Sequence, residues 1–279
     1  ANAANVSLFV MLLTGLSVGP NVLIARLIGA KEKEEISLLQ MKERALATKS
    51  TLPNFAFEQA LRNKNMAFIC EVKKASPSKG LIAEKFPYVE IAKEYEKAGA
   101  DCLSVLTEPK YFLGSDQYLQ EIRKEVAIPI LRKDFTVDVY QIYQAKVIGA
   151  NAVLLICALL EESFLTECIG ICQELGLTAL VEAHDENEIA MAVRAGAGVI
   201  GVNNRNLKDF TVDIHNSTRL RACAPEGTLF VAESGIRTRE DVAAFEEQKV
   251  NAVLIGETLM RAPDKVQKLA ELRGNAYAD

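Results

Sequence analysis

The chain has 279 residues, a formal net charge of −5 and no tryptophan, and 49% of its residues are apolar and 25% charged. The length suits one large domain or two ordinary ones, and the composition is typical of a globular protein with a sizeable core. The negative charge and the low aromatic content argue against a general nucleic-acid binder, which usually needs a basic face. An anionic ligand must therefore be held by local lysines, arginines or backbone amides.

The cysteines and histidines argue against a disulfide framework and a metal centre. Six cysteines lie mostly inside apolar runs, a pattern typical of buried free thiols in a reducing compartment. Cys168 and Cys172 would share a helix face and could chelate a soft metal, but no further Cys or His pair lies nearby, so core packing is favoured. Only His184 and His215 are present, which excludes a histidine-rich site. We expect no metal and a cytoplasmic location.

The first thirty residues are strongly apolar. Residues 6–30 are long enough to suggest a membrane span, but a Gly-Pro-Asn sequence at 19–21 breaks the run and Arg26 interrupts its second half. No basic segment precedes the run, as a secretory signal would require. We interpret it as an extension ahead of a helix over residues 21–48, with a peripheral membrane anchor as the minority alternative.

Short apolar runs recur along the chain from Phe68. Each is continuous rather than alternating, as expected for strands that are covered on both faces. They predict eight strands: 68–72, 102–106, 129–131, 152–156, 178–181, 199–202, 229–232 and 252–255. Amphipathic segments between them predict eight helices: 88–98, 115–125, 138–148, 161–175, 186–195, 213–222, 238–248 and 264–273.

The order of these elements predicts the fold. Alternating strands and helices imply parallel pairing with right-handed crossovers, and Gly99, Gly149 and Gly196 can end helices in the left-handed conformation. Eight units fit a (β/α)8 TIM barrel better than an open sheet, and no Gly-x-Gly-x-x-Gly follows the first strand. We predict an N-terminal helical extension over residues 1–60, which covers the barrel, and a (β/α)8 barrel catalytic domain over residues 61–279, within a single domain overall.

Charged residues follow several of the predicted strands, where the site of such a barrel lies. Glu71 and Lys73 are two residues apart on the first strand and point to the same side. An isolated Glu-x-Lys is better explained as a surface ion pair, but Lys133 and Glu182 also continue apolar strands directly. The repetition favours a catalytic site. Other polar residues at these ends could instead pair to fix the loops: Arg132, Asp134, Asp185 and Glu257.

Small residues follow the last two strands. Ser234 and Gly235 come after the seventh and Gly256 after the eighth, where backbone N–H groups can approach a ligand. Barrels commonly bind phosphate at these two loops and at a helix N-terminus. The sequence therefore predicts a phosphate site there.

Several stretches resemble the indole-3-glycerol phosphate synthase family. They are EVKKASPSKG at 71–80, SVLTE at 104–108, RKDF at 132–135, GVNNRNL at 201–207 and ESGI at 233–236. The resemblance runs in the family's order over residues 55–261. It implies a (β/α)8 barrel whose N-terminal segment helps cover the active site, and no cofactor or metal. It also implies conversion of 1-(2-carboxyphenylamino)-1-deoxyribulose 5-phosphate into indole-3-glycerol phosphate, with loss of CO2 and water, in tryptophan biosynthesis.

The resemblance also implies catalytic roles. Lys133 would be the general acid, aided by Glu71, and Glu182 would take part in the proton transfers of dehydration. Lys73 would contact the substrate carboxylate and phosphate and is a second candidate acid. Glu233 would be a supporting carboxylate.

Further residues would bind substrate. By the same resemblance, Asn203 and Ser234 would orient hydroxyl groups, and Arg205 would contact the anthranilate side. Phe135 and Leu154 would line the aromatic pocket. The phosphate-loop positions are Ser76, Gly235, Gly256 and Glu257. The loop at 75–80 would form a mobile lid.

Two other functions remain as alternatives. A phosphoribosylanthranilate isomerase is disfavoured because its chemistry resembles a Cys/Asp acid–base pair, whereas this first strand offers Glu and Lys. A non-catalytic barrel is disfavoured by acid–base groups at the expected strand ends. The expected partner is a small phosphorylated substrate, with neither nucleic acid nor membrane, and the protein could associate with other tryptophan-pathway enzymes.

Overall fold

A computed structural model describes residues 36–62, 64–206 and 210–274. Within these ranges, parallel strands pair with their neighbours in sequence, and the last pairs with the first to close a barrel. This confirms the predicted (β/α)8 TIM barrel. The strands are β1 (Ala67–Val72), β2 (Cys102–Leu106), β3 (Ile130–Lys133), β4 (Ala152–Ile156), β5 (Thr178–Ala183), β6 (Val199–Asn203), β7 (Leu229–Glu233) and β8 (Ala252–Ile255).

Helices precede the barrel and follow its strands. They are α1 (Leu38–Ala47), α2 (Ala56–Arg62), α3 (Tyr88–Lys97), α4 (Asp116–Glu125), α5 (Val139–Val147), α6 (Glu162–Leu175), α7 (Glu186–Arg194), α8 (His215–Arg221), α9 (Arg239–Glu247), α10 (Glu257–Arg261) and α11 (Lys265–Arg273). A 3₁₀ turn, Cys157–Leu159, follows β4. The predicted lid contains a short antiparallel hairpin of Ala75–Ser76 and Gly80–Leu81. Its movement stays a prediction.

Side chains alternate between two apolar layers. On β1, Phe68 and Cys70 pack outward against the helices, whereas Ala67 and Ile69 pack into the barrel interior. Both layers are apolar along most of each strand, which explains why the strands read as continuous apolar runs. Cys168 and Cys172 are buried on α6 in the outer layer, which confirms their role in core packing.

The glycines after α3, α5 and α7 end those helices as predicted. Gly99, Gly149 and Gly196 have φ values of 89°, 96° and 89°. A side chain would strain the backbone at these angles, so glycine is favoured there.

The strands extend further than the sequence predicted. Predicted strands 129–131, 178–181 and 229–232 end before Lys133, Glu182 and Glu233, but these residues lie inside β3, β5 and β7. Each keeps its partner in the neighbouring strand: Leu106 with Lys133, Ile156 with Glu182, and Asn203 with Glu233. The prediction ended each strand at its last apolar residue, but backbone pairing continues through the polar residues that face the barrel mouth.

The N-terminal part differs from its prediction. Helix α1 begins at Leu38 with Ser37 as N-cap, so the predicted helix over residues 21–48 does not run through residues 36 and 37. Ser37 accepts a hydrogen bond from the Gln40 amide in a non-helical conformation, which starts a new helix. Residues 1–35, including the apolar run, lie outside the described residues. Among the described ranges, no helix is long and apolar enough to cross a membrane.

Helix α2 was missed by the sequence analysis. Its Phe57 and Leu61 are fully buried in the interior cluster. The Glu58 amide donates to Thr178 Oγ1, at the first residue of β5, over 3.2 Å. Helix α2 therefore closes the end of the barrel at which the strands begin, and it runs across the predicted boundary between residues 60 and 61. The division into extension and barrel stays a prediction.

Candidate active site

The inward-facing positions at the carboxyl ends of the strands carry charge. Ile69, Leu131 and Leu180 are inward core residues, and the residues two positions further on are Glu71, Lys133 and Glu182. Because side chains alternate along a strand, these three charged groups also face the interior, one layer closer to the mouth. Alternation along the strands thus places a ring of ionisable groups one layer above the apolar core.

Lys133 lies at the centre of this ring. Its Nζ atom is 2.8 Å from Glu233 Oε2 and 3.4 Å from Glu71 Oε1. The Lys73 ammonium also pairs with Glu71, through Oε2. Two ammonium groups and two carboxylates therefore form one connected network across β1, β3 and β7.

Burial and pairing set the protonation of these groups. Burial raises the pKa of Glu71, but Lys73 and Lys133 outweigh it and leave the pKa below its usual range. Burial lowers the pKa of Lys133, but Glu233, Glu71 and Glu182 together raise it well above its usual value. For Glu233 burial dominates over Lys133 and raises the pKa to about 7. Lys133 and the buried Glu233 thus form a coupled pair in which the carboxyl group can hold a proton near neutral pH.

Glu182 is held by its neighbours on one oxygen. Asn203 Nδ2 donates to its Oε1 over 3.3 Å, and His184 Nε2 lies 3.1 Å from the same atom. Burial raises the pKa of Glu182, but His184 and Lys133 outweigh it, so the pKa lies below its usual range. Both of these contacts are made by Oε1.

Two glycines leave room for the carboxylates. A Cβ atom at Gly201 would lie 2.4 Å from Glu233 Oε1, and one at Gly256 would lie 2.2 Å from Glu71 Oε2 and 2.8 Å from Lys73 Nζ. Such distances are shorter than van der Waals contact. Gly256 therefore makes space for the Glu71–Lys73 pair, in addition to its predicted place in the phosphate loop.

Glu71, Lys73 and Lys133 of this network form the floor of a cavity of about 420 Å³ at the carboxyl end of the barrel. One side is apolar and includes Phe112, Phe135, Leu154 and Ile156. The rings of Phe112 and Phe135 are tilted, with centroids 6.2 Å apart. This side can take a flat aromatic group.

Another side is lined by Ser234, Gly235, Gly256 and several cations. Ser234 and Gly235 have φ values of 68° and 85°, and Gly256 is the N-cap of α10. Successive residues in such conformations can turn their amides towards an anion. The cationic side chains that line the cavity nearby are Arg205, Arg237, Arg261 and Lys268. The side chain of Glu257 pairs with Arg261 at 3.1 Å and with Lys79 at 3.7 Å, so any contact of Glu257 with an anion would come from its backbone.

Glu108 fixes the loop that carries Phe112. Its carboxylate accepts hydrogen bonds from the amides of Lys110, Tyr111 and Phe112 at 2.9, 2.6 and 3.0 Å. The sequence analysis quoted Glu108 only as part of a motif. Phe112, the apolar residue of this loop, gave only a weak signal in the sequence. A loop that is held together by a buried carboxylate has no periodic pattern of apolar residues that would reveal its structure.

The predicted site residues come together around this cavity. Those that line it are Glu71, Lys73, Ser76, Lys133, Phe135, Leu154, Glu182, Asn203, Arg205, Ser234, Gly235, Gly256 and Glu257. Glu233 is 1% exposed and lies beneath the floor, in contact with Lys133. Their individual roles stay predictions. In the part of the chain that the structure describes, no three His, Cys, Asp or Glu side chains are grouped to hold a metal ion.

The sequence analysis missed the contact of His184 with Glu182 and the three cations Arg237, Arg261 and Lys268. His184 was noted only as following Glu182. The cations lie beyond the strand ends, in loops and on α10 and α11, where charged residues usually face solvent.

Comparison with known proteins gives one family. A model of the indole-3-glycerol phosphate synthase family matches residues 25–272. Relatives of that name include one from Ruminiclostridium cellulolyticum, 58% identical over 88% of this chain and 94% of its own length. Another, from Endomicrobium trichonymphae, is 54% identical over 87% and 94%. A third, from Lacticaseibacillus casei, is 46% identical over 91% and 98%.

Solved structures share the barrel with low sequence identity. A 3-hexulose-6-phosphate synthase superposes with a TM-score of 0.62 at 14% identity, over 76% of this chain and 100% of its own. A phosphoribosylanthranilate isomerase from Thermotoga maritima gives 0.54 at 16% identity, over 76% and 98%. At such low identity, these structures show similarity of fold alone.

Proposed function

The chain belongs to the indole-3-glycerol phosphate synthase family, and we propose that the cavity above Lys133 is where its reaction takes place. The activity is that of a carboxy-lyase in tryptophan biosynthesis. It converts 1-(2-carboxyphenylamino)-1-deoxyribulose 5-phosphate into indole-3-glycerol phosphate, CO2 and water. Starting from the substrate carboxylate, one proton is taken up overall.

The cavity suits the three parts of this substrate. The carboxyphenyl ring fits the apolar side between Phe112 and Phe135, and the phosphate fits the amides of Ser234 and Gly235. Between these ends the sugar carbons would lie above the charged floor. This orientation brings the ketone oxygen towards the Lys133 ammonium.

Ring closure needs an acid at the ketone. The ring carbon that bears the carboxylate attacks the ketone carbon, and the ketone oxygen takes a proton from Lys133. The C–C bond to the carboxylate then breaks, its electrons restore the aromatic ring, and CO2 leaves. Glu233, 2.8 Å from Lys133 Nζ, is placed to return a proton to the lysine, since its pKa of about 7 lets it carry one near neutral pH.

Dehydration needs a second acid and a base. The new hydroxyl group leaves as water after it takes a proton, for which Lys73 is the candidate donor. The neighbouring methylene carbon loses a proton, and its electrons form the double bond of the five-membered ring. Glu182 is the candidate base, because its pKa is held below the usual range and it stays ionised at neutral pH.

The observation that carries this proposal is the position of Lys133 within the cavity floor. A half-buried ammonium in contact with Glu71 and Glu233 and facing a cavity also lined by Glu182 gives acid and base groups around one volume. The isomerase alternative has only the shared fold in its support. Its expected Cys/Asp pair has no counterpart at the described strand ends, since Cys70 and Cys157 pack in the outer core layer and Cys102 is buried in the interior core.

We also propose that the protein works in the cytoplasm, on the basis of its phosphorylated substrate and of free, mostly buried thiols. Association with other enzymes of tryptophan biosynthesis stays a prediction. Cell fractionation and copurification from native extracts test these two statements. Recovery of the protein in an oxidising compartment would contradict the cytoplasmic location. Purification of the protein alone at its native concentration would contradict the association with pathway enzymes.

The activity itself is tested with purified protein. We expect indole fluorescence to rise when it is mixed with 1-(2-carboxyphenylamino)-1-deoxyribulose 5-phosphate, and no turnover with phosphoribosylanthranilate, the isomerase substrate. Folded protein that turned over only the second compound would support the isomerase. Folded protein inactive on both would support the non-catalytic alternative.

A further inference from the structure

His184 lies between two carboxylates at the edge of the cavity. It follows β5 directly, and its imidazole faces Glu182 on one side and Glu188 of α7 on the other. Its Nε2 is 3.1 Å from Glu182 Oε1, and its Nδ1 is 3.0 Å from Glu188 Oε2. The contact with Glu182 is at ion-pair distance but is not aligned as a hydrogen bond.

This arrangement favours the doubly protonated ring. A neutral imidazole carries one N–H, so one of its nitrogens would turn a lone pair towards a carboxylate oxygen. In the imidazolium both nitrogens carry protons, and each lies close to a carboxylate oxygen. Burial lowers the pKa of His184, but Glu182 and Glu188 outweigh it and raise the pKa to about 10.

The local fold fixes Glu188, and through it the ring. The carboxylate of Asp185 caps α7 by accepting from the Glu188 amide over 2.9 Å. Glu188 turns back, and its Oε2 accepts from the His184 amide over 2.8 Å as well as contacting the ring. The start of α7 thus determines the position of the imidazole relative to β5.

Among the described residues, few other titratable groups face this pair. Besides Glu182 and Glu188, they are Asp185 at the start of α7 and the thiol of Cys157 in the turn after β4. Burial raises the pKa of Cys157 to about 12, so the thiol stays neutral. Beyond Glu182 lies the Lys133 ammonium on β3, and Asn203 on β6 is uncharged. Glu182 therefore lies near two cations, His184 and Lys133.

We propose that His184 is a positioning residue: as an imidazolium held by Glu188, it keeps Glu182 ionised and holds its Oε1, so that Oε2 is presented to the substrate. The inference rests on the proposed role of Glu182 as a base, and it assigns a function to a residue outside the cavity lining. The order of contacts is α7 to Glu188, Glu188 to His184, and His184 to Glu182.

The protonation of His184 can be measured without substrate. The chain has two histidines, and the other, His215, is exposed on α8 and serves as internal reference. In ¹⁵N-resolved NMR of the unliganded protein, we expect both ring nitrogens of His184 to remain protonated up to pH 8. Glu188→Gln and Glu182→Gln should each move its titration down by about one pH unit or more, since each removes a neighbouring charge. Titration of wild-type His184 near the unperturbed value of about 6.5 would overturn the proposal.

The effect on catalysis has its own readout. In His184→Asn and Glu188→Gln we expect the acidic limb of the pH profile of kcat to move up by about one pH unit, with KM little changed. The first variant removes the imidazolium beside Glu182, and the second removes the carboxylate that holds the imidazolium, so the pKa of Glu182 rises in both. His215→Asn is the matched control and should leave the profile in place. If the pH profiles of both variants superpose on that of the wild type, the proposal is overturned. If the wild type is inactive but His184 is protonated, only the assigned reaction is refuted.

Discussion

At the scale of single residues, the site depends on glycines as much as on charges. Gly256 has a negative φ of −111°, so a left-handed backbone does not explain the glycine, and its role is argued from the space that it leaves. That space holds the Glu71 carboxylate and the Lys73 ammonium. The sequence analysis assigned Gly256 to a phosphate loop and did not predict this packing role. A glycine at the end of a strand carries no information about the side chain opposite it.

Gly256→Ala should therefore impair catalysis more than folding. The added methyl group must displace the Glu71–Lys73 pair, and a misplacement of about 1 Å in a catalytic group can lower kcat by about 100-fold. We expect a fall of this order in steady-state kcat, with an unfolding midpoint close to wild type.

The matched control is Gly170→Ala. Gly170 lies on α6 with open space around its Cβ direction, and alanine is the better helix former. The control should keep kcat and unfold at the same or higher denaturant concentration. A Gly256→Ala enzyme with full kcat would mean that the pair can shift without consequence.

At the scale of elements, apolar runs predicted the strands well and their ends poorly. Backbone pairing with the neighbouring strand continues through Lys133, Glu182 and Glu233. These residues differ from the preceding strand residues only in having charged side chains. The short helix α2 was missed because its seven residues cover too few turns for a helical period to be recognised. His184 could not be assigned a role from sequence, because its contact with Glu188 depends on the turn between β5 and α7.

Helix α2 should contribute to stability and not to catalysis. Phe57 is fully buried at the end of the barrel opposite the cavity. Phe57→Ala leaves a cavity in that core and should lower the free energy of unfolding by about 3–5 kcal/mol. Denaturant unfolding measures this loss, and kcat/KM at a temperature where the variant is folded should match wild type.

Leu39→Ala provides the comparison for Phe57→Ala. Leu39 is 67% exposed on α1, and a surface substitution of this kind usually changes the free energy of unfolding by less than about 0.5 kcal/mol. If Phe57→Ala unfolded like Leu39→Ala, α2 would not be part of the barrel core. If it lost kcat while folded, α2 would act on the site from the far end.

At the scale of the whole molecule, closure of the barrel turns separate strand ends into one site. Glu71, Lys133, Glu182 and Glu233 come from four strands, and alternation directs all four side chains inward. The sequence was sufficient to predict this convergence, because a charged residue two positions beyond an inward apolar one must face the same way. The distances within the network and the raised pKa of Glu233 required the folded chain.

The kcat of Lys133→Ala tests this account most directly. If Lys133 is the acid for ring closure, kcat should fall by at least about 100-fold, the low end for general acid–base catalysis. Lys93→Ala is the matched control, since Lys93 is exposed on α3 and pairs only with Glu125 at 3.3 Å among the described residues. Its kcat should equal that of wild type. A folded Lys133→Ala enzyme with near wild-type kcat would contradict the account and place the acid elsewhere in the cavity.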